Sequence, residues 1–343
     1  MRNLLSLSKN ILLSNIKRLR DPYKLTFALT YKCNLRCKIC KIWSKPEAEE
    51  LNMCEIEKIF KNFNNLGWLD LTGGEITLRQ DLIDSLRVIA KNSRKLFILH
   101  ISTNGQLPDK IYALAKEAIR LGLNPLVNVS IDGPECINDN LRGISGAYAN
   151  SLETFKLLKS IKNGHYYLSC TISDYNISHI DQLILGLDRD LPGFSLADLH
   201  FNIFHNSAHY YDNQNVVGLS IKNSAQIKKY VSLSKTGGML KKIIESRYLD
   251  GLDYYFKNGR PNLRCQALKS SCFINPFGEV YPCGMLGDAL GNMRDTGYNF
   301  RKIWESPKAK EISGKIKDKI CPGCWTPCEA YPAMLGNLLN KFS

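Results

Sequence analysis

The sequence lacks the features of a membrane, repeat or disordered protein. It contains no uncharged apolar run of 18 residues, which excludes a polytopic membrane protein. It also lacks a repeat at a solenoid period and any low-complexity tract, and its 44% apolar and 23% charged residues are typical of globular chains. With 343 residues, the chain can form one large domain and a smaller one, with a sizeable core that needs no disulfides.

Acidic residues and a signal-peptide pattern are both absent from the N-terminal segment, residues 1–20. This segment combines Leu and Ile at helical spacing with Lys9, Lys17, Arg18 and Arg20, and most of these cations follow the apolar residues. The pattern predicts a basic amphipathic helix, either docked on the rest of the fold or lying on an anionic membrane. We favour the docked helix and expect a cytoplasmic protein, which the second interpretation would make peripheral at the inner membrane face.

Short apolar runs alternate with amphipathic helical segments from Lys24 onward, which is the pattern of repeated βα units around a parallel sheet. Six strands are predicted, at Leu25–Leu29, Trp68–Leu71, Leu96–Ile101, Leu126–Ser130, Tyr166–Thr171 and Leu199–Phe204. Helices are predicted at Asp81–Lys91, Lys110–Leu121 and Leu152–Ile161. The sequence therefore predicts an α/β fold with a partial (β/α)6 TIM-like barrel, whose reactive loops follow the C-terminal ends of the strands.

Composition changes along the chain and predicts five parts. These are an N-terminal helix, a barrel, a helical connector, a small cysteine-rich domain and a tail, at residues 1–20, 21–215, 216–262, 263–335 and 336–343, respectively. Within the connector, helices are expected at Ala225–Glu245. Within the cysteine-rich domain, a hairpin is expected around Phe277, Gly278 and Glu279.

The 12 cysteines are clustered, which favours metal binding over disulfides. Cys33, Cys37 and Cys40 have three and then two residues between them, in a loop directly after the first predicted strand. Three thiolates satisfy three irons of a [4Fe–4S] cluster. The fourth iron is then open to a ligand with an amine and a carboxylate, such as S-adenosylmethionine (SAM). A zinc site without its fourth ligand and three unrelated thiols are the competing interpretations.

This cysteine loop resembles that of the radical SAM superfamily, and the resemblance extends from Lys24 to about His205. It implies a SAM-binding [4Fe–4S] cluster and reductive cleavage of SAM to a 5′-deoxyadenosyl radical, which abstracts hydrogen from a substrate. It also implies a reducing partner such as flavodoxin or ferredoxin. The family usually has an aromatic residue before the third cysteine, where this chain has Ile39, with Trp43 shortly afterwards; the departure concerns adenine packing.

Two segments after the second and third predicted strands resemble SAM-binding motifs of the family. Gly73, Gly74 and Glu75 resemble the motif whose backbone and carboxylate hold the methionyl ammonium group, where glycine permits a close backbone approach. Ser102 and Asn104 lie where the family binds the ribose or methionyl groups. Ordinary turns are the alternative for both segments.

A third segment follows the fourth predicted strand. Ser130, Asp132 and Arg142 resemble the part of the family that contacts the cosubstrate, and the guanidinium of Arg142 suits the carboxylate of SAM. An ordinary surface ion pair is the alternative for Arg142.

A second set of cysteines has ligand-like spacing near the C-terminus: Cys265, Cys283, Cys321 and Cys324. This set, with Gly278 shortly before Cys283, resembles the auxiliary-cluster domain of the SPASM and twitch families. The resemblance implies a second [4Fe–4S] cluster that is fully ligated and transfers electrons. Cys272 and Cys328 are too few for a further cluster, which favours the twitch form, although either is an alternative ligand. Zinc is the alternative metal.

Several residues outside these sets have weaker indications. Three cysteines without metal-ligand spacing are predicted to be buried thiols: Cys54, Cys136 and Cys170. His205 is interpreted as a structural histidine at the end of the last strand, with an acid–base role on the substrate as the alternative. Glu329 and Tyr331 follow the second cysteine set and are candidates for substrate contact.

The predicted function is an oxygen-sensitive oxidoreductase that modifies a C–H bond of a small-molecule, sugar or lipid-linked substrate. A peptide maturase is the main alternative, but such enzymes often carry a recognition module before the barrel, and only about 20 residues precede the first strand here. A basic RNA-binding protein with structural clusters is the alternative suggested by the charge of +14. We expect no nucleic-acid partner, because a solvated face explains basic residues such as Lys308, Lys310, Lys315, Lys317 and Lys319.

Overall fold

The computed structural model describes residues 2–233 and 239–339. The strands are β1 (Lys24–Ala28), β2 (Trp68–Thr72), β3 (Ile98–Thr103), β4 (Pro125–Ser130), β5 (His165–Ile172), β6 (Leu199–Ile203), β7 (Ser271–Ile274), β8 (Glu279–Tyr281) and β9 (Gly291–Asn292). The α-helices are α1 (Arg2–Ile16), α2 (Met53–Phe60), α3 (Leu82–Asn92), α4 (Pro108–Arg120), α5 (Glu135–Arg142), α6 (Ala147–Lys159), α7 (Ile180–Asp190), α8 (Ser224–Leu233), α9 (Met239–Asn258), α10 (Phe300–Trp304), α11 (Pro307–Lys317) and α12 (Pro327–Leu335).

Strands β1 to β6 are parallel neighbours in sequence order and form an unclosed partial barrel, as predicted. Alternate strand residues such as Leu25, Leu69 and Leu99 join the apolar core with residues of the helices that cover the sheet. Strand β3 begins two residues later than predicted. The reason is that the Leu96 N–H donates to the Ser93 carbonyl at 2.9 Å and closes a turn after α3.

The C-terminal part continues the barrel sheet. Strand β7 pairs in parallel with β1, while β8 and β9 are antiparallel additions beyond it. The predicted hairpin is confirmed between β7 and β8, where Gly278 has a φ of 84° that suits glycine. Because β7 pairs with β1, it holds the C-terminal cysteine-rich part beside the strand that leads into the first cysteine loop.

An ion pair connects the barrel helices to this C-terminal part. The carboxylate of Glu55, on α2, accepts hydrogen bonds from Nε and Nη2 of Arg294 at 2.7 and 3.1 Å. It also accepts one from the hydroxyl of Tyr298 at 2.7 Å. Glu55 therefore fastens residues after β9 to the helical layer of the barrel.

Helix α1 is docked at the end of the barrel where the strands begin. Leu7 is buried in a small cluster with Leu19 and Tyr23. The side chain of Asn3 donates to the Leu96 carbonyl, just before β3. The helix ends at Ile16, four residues earlier than the predicted segment. In the described part of the chain, no helix is long and apolar enough to cross a membrane.

The connector contains two helices, α8 and α9, over much of the predicted helical stretch. Part of that prediction, residues 234–238, falls outside the described residues. Helix α9 continues further than predicted, to Asn258, and Tyr248 within it stacks on Trp325 near the last cysteines. The tail is described only as far as Leu339, whose N–H donates to Asn15 of α1.

Candidate functional site: two thiol sets around a polar barrel

The first cysteine loop leaves the C-terminal end of β1 and is fixed by its backbone. The N–H groups of Arg36 and Lys38 donate to carbonyls at the end of α5, at 3.0 and 2.9 Å. Burial raises the pKa of Cys33 to about 11 and that of Cys40 to about 12, and it also raises the pKa of Cys37. These thiols are therefore neutral until a metal displaces their protons.

Gly73 and Gly74 lie against the backbone that leads into this loop. A Cβ on Gly73 would come within 2.2 Å of the Thr30 carbonyl oxygen, and one on Gly74 within 2.2 Å of the Lys32 carbonyl oxygen. The Gly74 N–H donates to Thr30 at 2.7 Å. Glycine permits the close approach predicted here, but the partner that the structure shows is the chain just before Cys33.

The carboxylate of Glu75 is buried and fully used within the protein. It accepts hydrogen bonds from the N–H and hydroxyl of Thr77, the hydroxyl of Thr103 and the N–H of Asn104, the last at 2.6 Å. Burial raises its pKa. Glu75 therefore joins the loops after β2 and β3, and its contact with the methionyl ammonium group stays a prediction.

Asn104 reaches the cysteine loop directly. Its side-chain Nδ2 donates to Asn34 Oδ1 at 2.8 Å and lies 3.9 Å from the sulfur of Cys33. Ser102 and Ser130 lie on the inner faces of β3 and β4, because they are two residues beyond the inward-facing His100 and Asn128, respectively. The structure thus brings the predicted Ser102, Asn104 and Ser130 to the end of the barrel that carries the cysteines.

Arg142 forms a buried ion pair with Asp132, at 2.6 Å, so the surface-pair alternative is wrong. Burial would lower the pKa of Arg142, but Asp132 and the nearby Cys37 raise it, which keeps the guanidinium charged. The Thr171 N–H donates to the other oxygen of Asp132 at 2.9 Å. The structure pairs Nη2 of Arg142 with Asp132, leaves its Nε buried without a hydrogen-bond partner and places its charge beside Cys37, so its contact with the SAM carboxylate stays a prediction.

The inner face of the barrel is polar, which sequence reasoning missed. Lys24 Nζ lies 2.9 Å from Asp70 Oδ2, and both side chains are almost fully buried. Nδ1 of His100 lies 3.2 Å from the other Asp70 oxygen, and its Nε2 lies 2.9 Å from Asn128 Nδ2. Burial alone would raise the pKa of Asp70, but Lys24 and His100 more than offset it and lower the value. The signal was present: a lysine and an aspartate in otherwise apolar strands.

The second set of cysteines surrounds one pocket, whose lining includes Cys265, Cys283, Cys321 and Cys324. Burial raises the pKa of Cys265 to about 12 and raises those of Cys283 and Cys324. The alternative ligands lie elsewhere: Cys272 is buried on β7, and Cys328 lies in the first turn of α12, where its carbonyl accepts from Lys24 at 2.6 Å. Neither is among the residues that line the pocket.

Glu329 points into the same region. It lines the pocket of the second cysteine set, and its Oε2 is buried without a hydrogen-bond partner. Burial raises its pKa to about 7, although Lys24 opposes the shift. Tyr331 donates to Glu245 of α9 at 3.2 Å. Glu329 therefore lies between the second thiol set and the polar barrel, as its candidacy for substrate contact requires.

The remaining predicted residues have simpler positions. Cys170 is buried as predicted, but the prediction is wrong for Cys54 and Cys136, which are exposed because they lie on the outer surface of α2 and α5. Both ring nitrogens of His205 are hydrogen-bonded within the fold, Nδ1 with the Ile203 carbonyl and Nε2 with the Trp325 N–H. Burial lowers the pKa of His205 to about 4. Its contacts fit the structural interpretation. The five lysines of the predicted solvated face are exposed, with Lys319 beyond the end of α11.

Both thiol sets fit iron–sulfur clusters. The chemistry of the donors carries this fit. Cys33, Cys37 and Cys40 are three thiols on one loop, the number that leaves one iron of a [4Fe–4S] cluster open. The pocket lined by Cys265, Cys283, Cys321 and Cys324 offers four thiols, enough to ligate a second cluster fully.

The family follows from these features together with comparison to known proteins. The radical SAM superfamily model matches residues 27–185, and the model of the iron–sulfur cluster-binding domain SPASM matches residues 265–325. The chain belongs to the radical SAM superfamily and carries a C-terminal SPASM domain. Its cofactors are accordingly SAM, the [4Fe–4S] cluster that binds SAM, and auxiliary iron–sulfur chemistry in the SPASM domain.

Individual relatives span most of the chain. It is 26% identical over 329 residues to the antilisterial bacteriocin subtilosin biosynthesis protein AlbA of Bacillus subtilis, covering 89% of this chain and 67% of that protein. It is 25% identical over 339 residues to the AdoMet-dependent heme synthase of Methanosarcina barkeri, covering 88% and 91%, respectively.

The solved structures of anSMEcpe share the fold. With bound AdoMet, the TM-score is 0.60 at 21% identity, covering 84% of this chain and 82% of that chain. With AdoMet and the Cp18Cys peptide, the TM-score is 0.59 at 20% identity, covering 84% and 81%, respectively.

Proposed function

We propose that this radical SAM enzyme is a peptide maturase, which removes hydrogen from a residue of a ribosomally made peptide and forms a new bond there. The observation that carries the proposal is the similarity to the bacteriocin biosynthesis protein AlbA, which extends over 89% of the chain. Structural similarity to anSMEcpe with a bound peptide supports the same substrate class. Small-molecule, sugar or lipid-linked substrates, which the sequence alone favoured, have less support.

The inner face of the barrel is chemically suited to a peptide. A closed TIM barrel is filled by branched apolar side chains, whereas here the inner face carries hydrogen-bonding groups. The inward-facing polar residues include Lys24, Thr26, Asp70, Thr72, His100, Ser102, Asn128, Ser130, Ser169 and Asn202. Buried amides and hydroxyls of this kind pair with the alternating N–H and C=O groups of an extended chain.

Asn128 offers one such group directly. Its Nδ2 lies against His100, and its Oδ1 is buried without a hydrogen-bond partner in the described structure. A buried acceptor without a partner is costly, which favours a ligand N–H at this position. Glu329, which interacts with Lys24 and has its own unpartnered oxygen, supplies a proton acceptor. Together these residues bind and orient a peptide between the two thiol sets.

With the cofactors bound, Cys33, Cys37 and Cys40 would hold the cluster at which SAM is cleaved to the 5′-deoxyadenosyl radical, and Cys265, Cys283, Cys321 and Cys324 would hold the cluster that takes up the electron left on the substrate. For each SAM consumed, the peptide would lose one hydrogen atom to 5′-deoxyadenosine, one electron to the auxiliary cluster and one proton to a base such as Glu329. The product is therefore two hydrogens lighter and carries one new bond. A flavodoxin or ferredoxin provides the electron that starts each turnover.

The test is anaerobic turnover of the reconstituted full chain with SAM and dithionite. We expect short precursor peptides encoded beside its gene to increase 5′-deoxyadenosine formation and to appear in the mass spectrum about two mass units lighter, since two hydrogens are lost. Asn128→Ala should raise the KM for the peptide more than it lowers kcat. Uncoupled 5′-deoxyadenosine formation with no peptide mass change, for every such peptide, would contradict the proposal.

A tetrapyrrole is the second candidate substrate. The similarity to the heme synthase of Methanosarcina barkeri covers 91% of that protein, which is more of the relative than AlbA shares. The same turnover assay distinguishes the two, with coproporphyrin and uroporphyrin as probes. A tetrapyrrole that is consumed while the peptides are unchanged would favour this second function.

A further inference from the structure

The solvent-facing side of α1 combines apolar and cationic side chains. Four large apolar residues are exposed on it, Leu4, Leu5, Leu12 and Ile16, the last with 75% of its surface accessible. Leu5, Leu12 and Ile16 fall on one stripe, because positions separated by seven and then four residues lie on the same side of a helix. The opposite side is buried against the barrel through Leu7 and Ser14. The stripe therefore remains exposed to solvent although α1 is docked on the barrel.

Two further leucines extend this stripe. Leu338 and Leu339 are exposed, with 40% and 64% of their surfaces accessible. They are held beside α1, since the Leu339 N–H donates to the side chain of Asn15 at 3.1 Å. We call the six residues the α1 patch: Leu4, Leu5, Leu12, Ile16, Leu338 and Leu339. Contiguous exposed apolar residues of this kind mark an interaction surface.

The charged residues within residues 1–20, which border the α1 patch, are all cationic. Arg2, Lys9, Lys17 and Arg20 are exposed, and residues 1–20 contain no acidic residue. The first acidic side chain after the helix, Asp21, lies 3.6 Å from Arg301 and is engaged there. The patch is thus apolar at its centre and cationic at its border.

These charges identify what covers the α1 patch. A second copy of the chain would bring two cationic borders together, which repel each other at the distances of a symmetric contact. An anionic bilayer satisfies both features, because its headgroups attract Lys and Arg while its acyl boundary accepts Leu and Ile. We propose that the α1 patch binds the surface of an anionic membrane and holds the enzyme there.

The position of α1 makes this binding compatible with turnover. Its side chains Asn3 and Asn10 donate to carbonyls of Leu96 and Asn65, in the loops that enter β3 and β2. The cysteine loop leaves the opposite ends of the strands, after β1. A membrane under α1 therefore leaves the mouth of the barrel facing water, where a soluble substrate enters.

The test is flotation of the reconstituted full chain with two kinds of vesicle, pure phosphatidylcholine and phosphatidylcholine mixed with phosphatidylglycerol. We expect flotation only with the mixed vesicles and its loss at high salt, because exposed charges are screened. Leu12→Ser with Ile16→Ser should abolish flotation. Lys9→Gln with Lys17→Gln should weaken binding about fivefold for each lysine removed.

A matched control separates this surface from general exposure of apolar groups. Leu185→Ser with Val217→Ser removes two exposed apolar side chains away from α1, with 71% and 83% of their surfaces accessible, and should float like the wild type. All variants should retain the wild-type rate of SAM cleavage, which shows that they are folded. Wild-type protein that stays with the soluble fraction, or Leu12→Ser with Ile16→Ser that floats normally, overturns the proposal. So does a dimer in solution that these substitutions dissociate, since the patch would then bind a second copy.

Discussion

The ion pair between Glu55 and Arg294 permits the most quantitative prediction, because it joins the barrel to the SPASM domain. Glu55→Gln keeps the size of the side chain and removes its charge. Its single oxygen can still accept from the Asn52 N–H, which Oε2 of Glu55 binds at 2.9 Å as part of the helix cap of α2, and its NH2 group can donate to the hydroxyl of Tyr298. What is lost is the charge-assisted pair of hydrogen bonds with Arg294.

The expected loss follows from the pKa of Glu55. Hydrogen bonding to Arg294 lowers that pKa from 4.5 to about 2. Taken in full, this shift stabilises the native state by about 3 kcal/mol at neutral pH. The Arg294 side chain is 30% exposed, so solvent screens the pair and we expect a loss of about 1–2 kcal/mol. Because the native pKa is lowered, this stabilisation is complete above about pH 5 and is lost as the pH falls toward 2.

The assay is urea unfolding of the reconstituted protein without oxygen, followed by far-ultraviolet circular dichroism. Glu57→Gln on the same helix is the matched control, because Glu57 pairs with Lys61 at the surface and its removal should leave the unfolding midpoint unchanged. Glu55→Gln should lower the midpoint at pH 7, and less so at pH 4. A wild-type midpoint for Glu55→Gln at pH 7, or a difference that grows as the pH falls, would refute the reasoning.

Two more predictions concern the barrel and the cysteine loop. Lys24→Met leaves Asp70 charged in the interior and should reduce the free energy of unfolding by about 3–5 kcal/mol, as measured by the same urea titration; a loss below 1 kcal/mol would show that His100 alone compensates the charge. Gly74→Ala places a Cβ within 2.2 Å of the Lys32 carbonyl and should displace the chain before the first cysteine loop. Iron analysis should then show loss of about one cluster of four irons, whereas full iron content would contradict this account.

The barrel was predictable because its strands are short, mainly apolar segments that alternate with amphipathic helical segments. Strand β3 was misplaced by two residues since the turn after α3 extends to Leu96, an apolar residue that itself resembles a strand position. Strands β7 to β9 are too short for their sequences to indicate which strands they pair with. The pairing of β7 with β1 joins positions about 250 residues apart, a contact that no local pattern specifies.

The candidate site divides in the same way. The loop of Cys33, Cys37 and Cys40 is contiguous, so spacing alone identified it. The exposure of Cys54 and Cys136 depends on which side of a helix meets the sheet, and residue type was a poor guide to it. The roles of Glu75 and Arg142 depend on partners in other loops, which only the fold brings within hydrogen-bond distance.

The polar barrel interior was missed for a related reason. Lys24, Asp70, His100 and Asn128 lie on four different strands, and each alone interrupts an apolar pattern without explanation. Only the parallel register places them side by side on the inner face. Together they form a network of ion pairs and hydrogen bonds, which a substrate in the barrel would contact.

The central claim is that the first cysteine loop generates the radical while the second cysteine set handles the electron afterwards. The most direct measurement is 5′-deoxyadenosine formed with dithionite and SAM by three proteins: the intact chain, a variant with Cys33, Cys37 and Cys40 replaced by Ala, and a variant with Cys265, Cys283, Cys321 and Cys324 replaced by Ala. We predict product from the intact chain and from the second variant, and none from the first. Product from the first variant at the rate of the intact chain would contradict the assignment.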